Sequence, residues 1–185
     1  MAIAVWQGRQ KKRFQVVTVQ ITAYDAATTY GIGIPTSAGP TATTIAGGSV
    51  NATATALAAA WNAITVPQFN RITASAATDT VTLTADNRGE PFTVASFVSG
   101  GAGTIGAAAT STSNQSPNDW NDTVNWSTGV VPANGDTVVL DNVLVDAKYN
   151  LDSNTNTPTL LYCYGTWNAS LGLPKLNREG SYFEY

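Results

Sequence analysis

Four carboxylates recur at short intervals late in the chain: Asp136, Asp141, Asp146 and Asp152. Set about one short strand apart, they could line one edge of a β-stack and hold Ca²⁺ through oxygen ligands. No D-x-D-x-D-G loop accompanies them, and the commoner role of such residues is to bond their own backbone in turns. A carboxylate pair could serve glycoside hydrolysis, but spacing alone brings no two of them together. Trp120, Trp126 and Trp167 could stack on sugar rings. Large aromatics in a small β domain more often form its core.

Other chemistry lacks its residues. The 185 residues include no histidine, so the commonest general base and the commonest zinc ligand are missing. Cys163 is the one cysteine, flanked by Tyr162 and Tyr164. It can form no intrachain disulfide, and it reads as a small, buried strand residue rather than a nucleophile. Gly47-Gly48 lacks the Lys-Ser/Thr of a P-loop, and Gly100, Gly101 and Gly103 have no strand-to-helix context that would cradle a phosphate. The expectation is a non-enzyme, with no catalytic, cofactor-binding or metal residues and no cofactor.

The charges are unevenly placed. The net charge is −3, yet Arg9, Lys11, Lys12 and Arg13 crowd the N-terminus with no acid before them. Positions 14–185 keep five basic and twelve acidic residues, −7 in all. A basic arm on an acidic body is suited to a polar docking contact, and a solvated leader is the plain alternative. Four charges with one nearby aromatic, Trp6, are too few to point to nucleic acid. The apolar run before them is too short for a signal-peptide core, and no stretch is long enough to span a bilayer. The expectation is a chain made in the cytoplasm of its host, with no membrane partner.

The elements that must position these residues are mostly strands. With 43% hydrophobic and 11% charged residues, the chain can bury enough apolar surface to fold. Residues 14–23 alternate, with Phe14, Val17, Val19 and Ile21 inward and a slip near Val16 and Val17 that suggests a bulge. Thr29–Ile34 forms a second strand, with Gly31 and Gly33 on the face a neighbour can approach closely. Thr41–Ala46 forms a third. Ser49 caps a helix carrying Val50, Ala54, Leu57, Ala58, Trp61 and Ile64 at helical spacing, ended by Pro67. Strands follow near Phe69–Ala74, Thr80–Ala85 and Phe92–Phe97, with hairpin chemistry at Ala77-Thr78-Asp79 and at Asn87-Arg88-Gly89. Farther on, Thr137–Leu140, Asn142–Asp146, Leu160–Tyr164 and Thr166–Leu171 are short apolar runs between turns.

The fold class expected is mainly β with one helix, α+β. An N-terminal sheet-plus-helix domain precedes a β-rich segment, either a sandwich or a β-solenoid. The divisions are a basic arm over 1–13, an α+β domain over 14–98, a Gly/Ala/Ser/Thr linker over 99–118, and a Trp-containing β segment over 119–185, the start of a longer β-helix on the solenoid reading. The chain stops on GSYFEY with no closing element. Either it continues in a longer protein or its last strand pairs with another chain.

The run ALAAAWNA, then ITAS, TVTLTAD and G-x-PFTV, resembles a small domain of bacteriophage structural proteins over roughly residues 14–98. The stretch D-W-N-D-x-x-N-W-S-x-G-x-V-P-x-x-G-D-x-V-V, followed by GLP and GSYFEY, is similar to the opening of β-helical regions in phage virion proteins and some bacterial surface proteins. This resemblance implies a virion component (a head decoration, head fibre or tail protein) and implies no enzyme. Its partners would be major capsid or tail proteins, reached through Arg9, Lys11, Lys12 and Arg13, and copies of itself, a trimer being one closed form. A bacterial surface adhesin module and a polysaccharide-degrading tail spike are the alternatives.

Overall fold

The computed structural model describes residues 1–35, 41–45, 47–151, 157–172, 175–176 and 183–184. In chain order the elements are β1 (Ile3–Val5), β2 (Val16–Ala23), β3 (Thr29–Gly33), β4 (Ala42–Ile45), α1 (Val50–Asn62), β5 (Ile72–Ala77), β6 (Thr80–Ala85), β7 (Ala95–Ser99), β8 (Thr104–Ile105), β9 (Ala109–Thr112), β10 (Thr137–Leu140), β11 (Leu160–Cys163), β12 (Lys175–Leu176) and β13 (Phe183–Glu184). The chain is mostly β with a single helix, as expected. It divides into two compact units. The first joins Met1–Arg13 to Gln115–Tyr185, and the second is Phe14–Asn114.

The second unit holds the helix. β5, β6 and β2 run antiparallel in that order, with β8 and β9 both pairing to β2. The register between β2 and β9 shifts between Val16 and Val17, where the alternation slips. Val17, Val19, Ile21, Val81 and Leu83 point into one core, and Phe14 is only half-buried. Ser49 caps α1 by accepting a hydrogen bond from Ala52 N, and Leu57 and Trp61 bury fully. Each such apolar side chain contributes about 1.5–3 kcal/mol relative to exposure.

The helix stops at Asn62, short of Pro67, because its last turn is tied to β5. Trp61 Nε1 donates to the Ile72 carbonyl (2.9 Å). The Asn62 side chain both donates to and accepts from the Ala74 backbone. The strand expected at Phe69–Ala74 accordingly begins at Ile72.

Of the two hairpins expected in this unit, the first forms and the second does not. Thr78, with φ +52°, turns β5 into β6 as a hairpin. Asn87-Arg88-Gly89 makes no such hairpin. Both edges of β6 are occupied, by β5 and β2, so the chain passes to a second sheet of order β4-β3-β7. Residues 92–94 are not strand either. The Gln15 side chain takes the place of a pairing backbone there, donating to the Phe92 carbonyl (2.6 Å) and accepting from Phe92 N (3.0 Å). On the outer face of β3, Phe97 covers Gly31 and Thr41 covers Gly33, which is the close approach that glycines at those positions allow. Residues 99–118, read as a linker, instead contribute β8 and β9. Their Thr and Ala residues serve as well for strand as for spacer.

The first unit is built on parallel pairing. β1, β10 and β11 lie side by side, with Ile3 opposite Thr137 and Thr137 opposite Leu160. Two parallel bridges, Asp119 to Tyr149 and Ala147 to Leu171, extend the contact elsewhere. The expected strands at Asn142–Asp146 and Thr166–Leu171 are irregular apart from these bridges. Trp6, Trp120 and Trp126 fill the core with Ala4, Val138, Leu140 and Ala147. The chain leaves this unit at Arg13 and re-enters at Gln115, and those two residues pair through Arg13 N and the Gln115 carbonyl (2.9 Å).

Candidate docking surface

The four cations sit on a fixed ribbon, not on a free arm. β1 places Trp6 in the core, where its Nε1 donates to the Val145 carbonyl (3.0 Å). The chain then bends at Gly8, with φ +55° and Val145 so close that an added Cβ would lie 2.7 Å from Val145 Cβ. Glycine is required there on both counts. After the bend, Gln10 N donates to Asn125 Oδ1 (2.8 Å), and Gln10 Nε2 reaches Asp122 Oδ1 (3.4 Å). The segment is pinned at Gln10 and again at Arg13. Arg9, Lys11, Lys12 and Arg13 are all exposed. Among the described residues none of them forms an ion pair; the pair found there joins Lys148 to Asp146.

Asn125 is the hub beneath this ribbon. It is fully buried, and its Nδ2 donates to the carbonyls of Ser116 and Asp119, both at 2.8 Å. Asp122 accepts from Ser116 N (2.9 Å). Burial pushes the Asp122 carboxyl up; the Ser116 and Gln10 hydrogen bonds oppose this, and the nearby Asp119 adds to the rise. Reading the sequence for charge finds the four cations but not Gly8, Asn125 or Asp122, which hold them in place. The spacing Asp119-x-x-Asp122-x-x-Asn125, one polar residue per tight turn, is the signal that carries this hub.

The late acids are each engaged separately. Asp136 accepts from Ala2 N (2.6 Å) and Ala133 N (3.1 Å), and these bonds, in that order, hold its carboxyl below the usual range. Asp141 accepts from Thr166 Oγ1. Asp146 accepts from Ser170 N (2.7 Å) and pairs with Lys148 (2.7 Å). Burial raises its carboxyl, but those contacts outweigh burial and leave it lowered. Asp152 lies outside the described residues. Among the described residues no three His, Cys, Asp or Glu side chains gather as a metal would require. Trp120 and Trp126 are core residues with no face to offer a sugar, and Trp167 is half-buried against the same cluster. Cys163 is a strand residue as expected, but an exposed one.

The second unit carries a shallow cleft of about 270 Å³ beside Trp61, Phe69, Asn70 and Asp86. Asp86, the one acid in its wall, is bonded to Thr73 Oγ1 (2.6 Å). Comparison with protein-family models and with curated proteins finds no match to this chain.

Proposed function

We propose that this chain is a non-enzymatic structural component of a bacteriophage virion that docks on capsid or tail proteins through Arg9, Lys11, Lys12 and Arg13. The observation that carries this reading is the pinned cationic ribbon: four exposed charges on a backbone held at Gln10 and Arg13 that, among the described residues, form no ion pair. A rigid, unpaired patch meets a complementary acidic surface with little ordering cost, and it steers the approach of that surface. The sequence resemblance to phage virion modules supplies the class of partner.

The parallel sheet supports the same picture. In β10 and β11 all four paired residues lie 23 positions apart, and Ala147 and Leu171 lie 24 apart. With the Asp119 to Tyr149 bridge, which spans 30, the parallel neighbours recur at steps of 23, 24 and 30 residues, the pattern of β-solenoid coils of varying length. On this reading the first unit is the opening of a projecting β-helix.

Truncating residues 1–13 is the wrong test, since it would remove Trp6 from the core. The test is Arg9→Glu, Lys11→Glu, Lys12→Glu and Arg13→Glu together, which leaves β1 and Trp6 untouched. Purified particles from the source culture should bind antibody against the chain in electron micrographs. The recombinant chain should co-sediment with those particles, and the quadruple variant should not. Particles free of the label, or co-sedimentation unchanged by the four substitutions, would refute the proposal.

A further inference from the structure

Among the described residues, β5 is the end strand of its sheet, with β6 as its one strand neighbour. Along an antiparallel ladder, alternate residues turn their backbone groups away from the partner strand. In β5 these are Ile72, Ala74 and Ala76. The outward groups of Ile72 and Ala74 are all engaged. Ile72 N donates to the Phe69 carbonyl (3.0 Å), and the Ile72 carbonyl accepts from Trp61 Nε1 (2.9 Å). Ala74 N donates to Asn62 Oδ1 (2.9 Å), and the Ala74 carbonyl accepts from Asn62 Nδ2 (2.8 Å). One side-chain amide therefore bonds both outward groups of a single residue, as the backbone of an adjoining strand would.

β5 has no guard of its own. Its sequence ITASAA holds no charged residue and no proline, the residues that normally keep an end strand from recruiting another. Asn62 is not there for packing. It is an exposed residue at the end of α1, whose buried side chains are Thr53, Ala54, Leu57, Ala58 and Trp61. It is not there for helix propensity either, since alanine would serve the helix better. What Asn62 adds is the doubly bonded amide.

We propose that Asn62 is an edge lock: its amide stands in for a strand and keeps β5 from pairing with β5 of a second copy of this chain. The lock holds the last turn of α1 against β5 through three side-chain bonds, two from Asn62 and one from Trp61. Without the Asn62 pair, Ala74 regains a free donor and a free acceptor facing away from the sheet. A second β5 meets both needs, because an antiparallel pair is self-complementary and the uncharged strand buries no charge in forming it. The lock stands apart from the virion reading and from the cationic ribbon, which belongs to the other unit.

Two measurements on the full chain test it. In hydrogen exchange at low concentration, Asn62→Ala should speed exchange of the Ala74 amide by about tenfold or more, while the amides of β6 keep their protection. In sedimentation velocity over a concentration series, Asn62→Ala should associate about tenfold or more tightly than the parent chain. Ser75 is exposed on β5, so Ser75→Lys places a guarding charge on the strand without touching the core. Asn62→Ala with Ser75→Lys should return to the association of the parent. An Ala74 amide as slow in Asn62→Ala as in the parent overturns the proposal, as does an Asn62→Ala chain that associates no more than the parent. Association that Ser75→Lys leaves unchanged overturns it too, and marks general destabilisation as the cause.

Discussion

Replacing Trp6 with alanine should disrupt the first unit and spare the second. Trp6 is 0% exposed, lies 6.3 Å from the Trp120 ring in stacked geometry, and lies 5.0 Å from Trp126 edge-on. A tryptophan buries about 150–250 Å², and at about 25 cal/mol per Å² the loss beyond alanine comes to about 3–5 kcal/mol, the range measured for such truncations. The Val145 carbonyl also loses its donor, which costs about 1–3 kcal/mol if no water replaces it. Those terms overlap, so about 3–5 kcal/mol is the working figure, a large share of the stability of a unit this size. Hydrogen exchange read by mass spectrometry resolves the two units. Amides of β10 should lose protection by at least about a hundredfold, while those of β5 and β6 keep theirs. A change in β10 protection of less than about fivefold, near 1 kcal/mol, would mean that residues 1–13 are not part of this core, and the account of the cationic ribbon would fall with it.

Two further outcomes follow from particular contacts. Gly31→Ala sets a methyl against the Phe97 ring and should destabilise the second unit by about 1–3 kcal/mol in urea unfolding; Gly31→Ala with Phe97→Ala should recover part of that loss, and no recovery would show that the clash lies elsewhere. Asp136 has its folded-state carboxyl lowered by Ala2 N and then Ala133 N, so its contribution is present above the unfolded pKa and lost as pH falls through the folded value. Asp136→Asn should therefore reduce the decline in unfolding midpoint on the acid side of that range, and a decline identical to that of the parent chain would contradict the assignment.

Several elements in both units were readable because their causes are local. Ser49 and the alanine run specify α1, and the alternation of Thr80–Ala85 and Thr137–Leu140 marks β6 and β10 at their observed bounds. Long-range pairing is what sequence does not show. The run Ile3–Val5 resembles a leader because its partner stands 134 residues away at Thr137, and nothing near it records that register. Residues 92–94 look like strand, yet Gln15 meets their backbone with a side chain, which no alternation pattern encodes. The four cations of the candidate site could be counted directly, but their anchorage at Asn125 depends on a buried amide whose partners come from two distant segments.

The insertion of one unit within the other bears on the order of events during synthesis. Residues 1–13 emerge first, but Trp6 has no partner until Trp120 and Trp126 appear. Holding the ends of roughly a hundred intervening residues together would carry a loop-closure penalty if that stretch were unstructured. Once folded, Phe14–Asn114 removes that penalty, because Val16 on β2 already lies opposite Thr112 on β9. The inserted unit thus acts as a staple, presenting the two halves of its host side by side. Its refolding should precede and pace theirs.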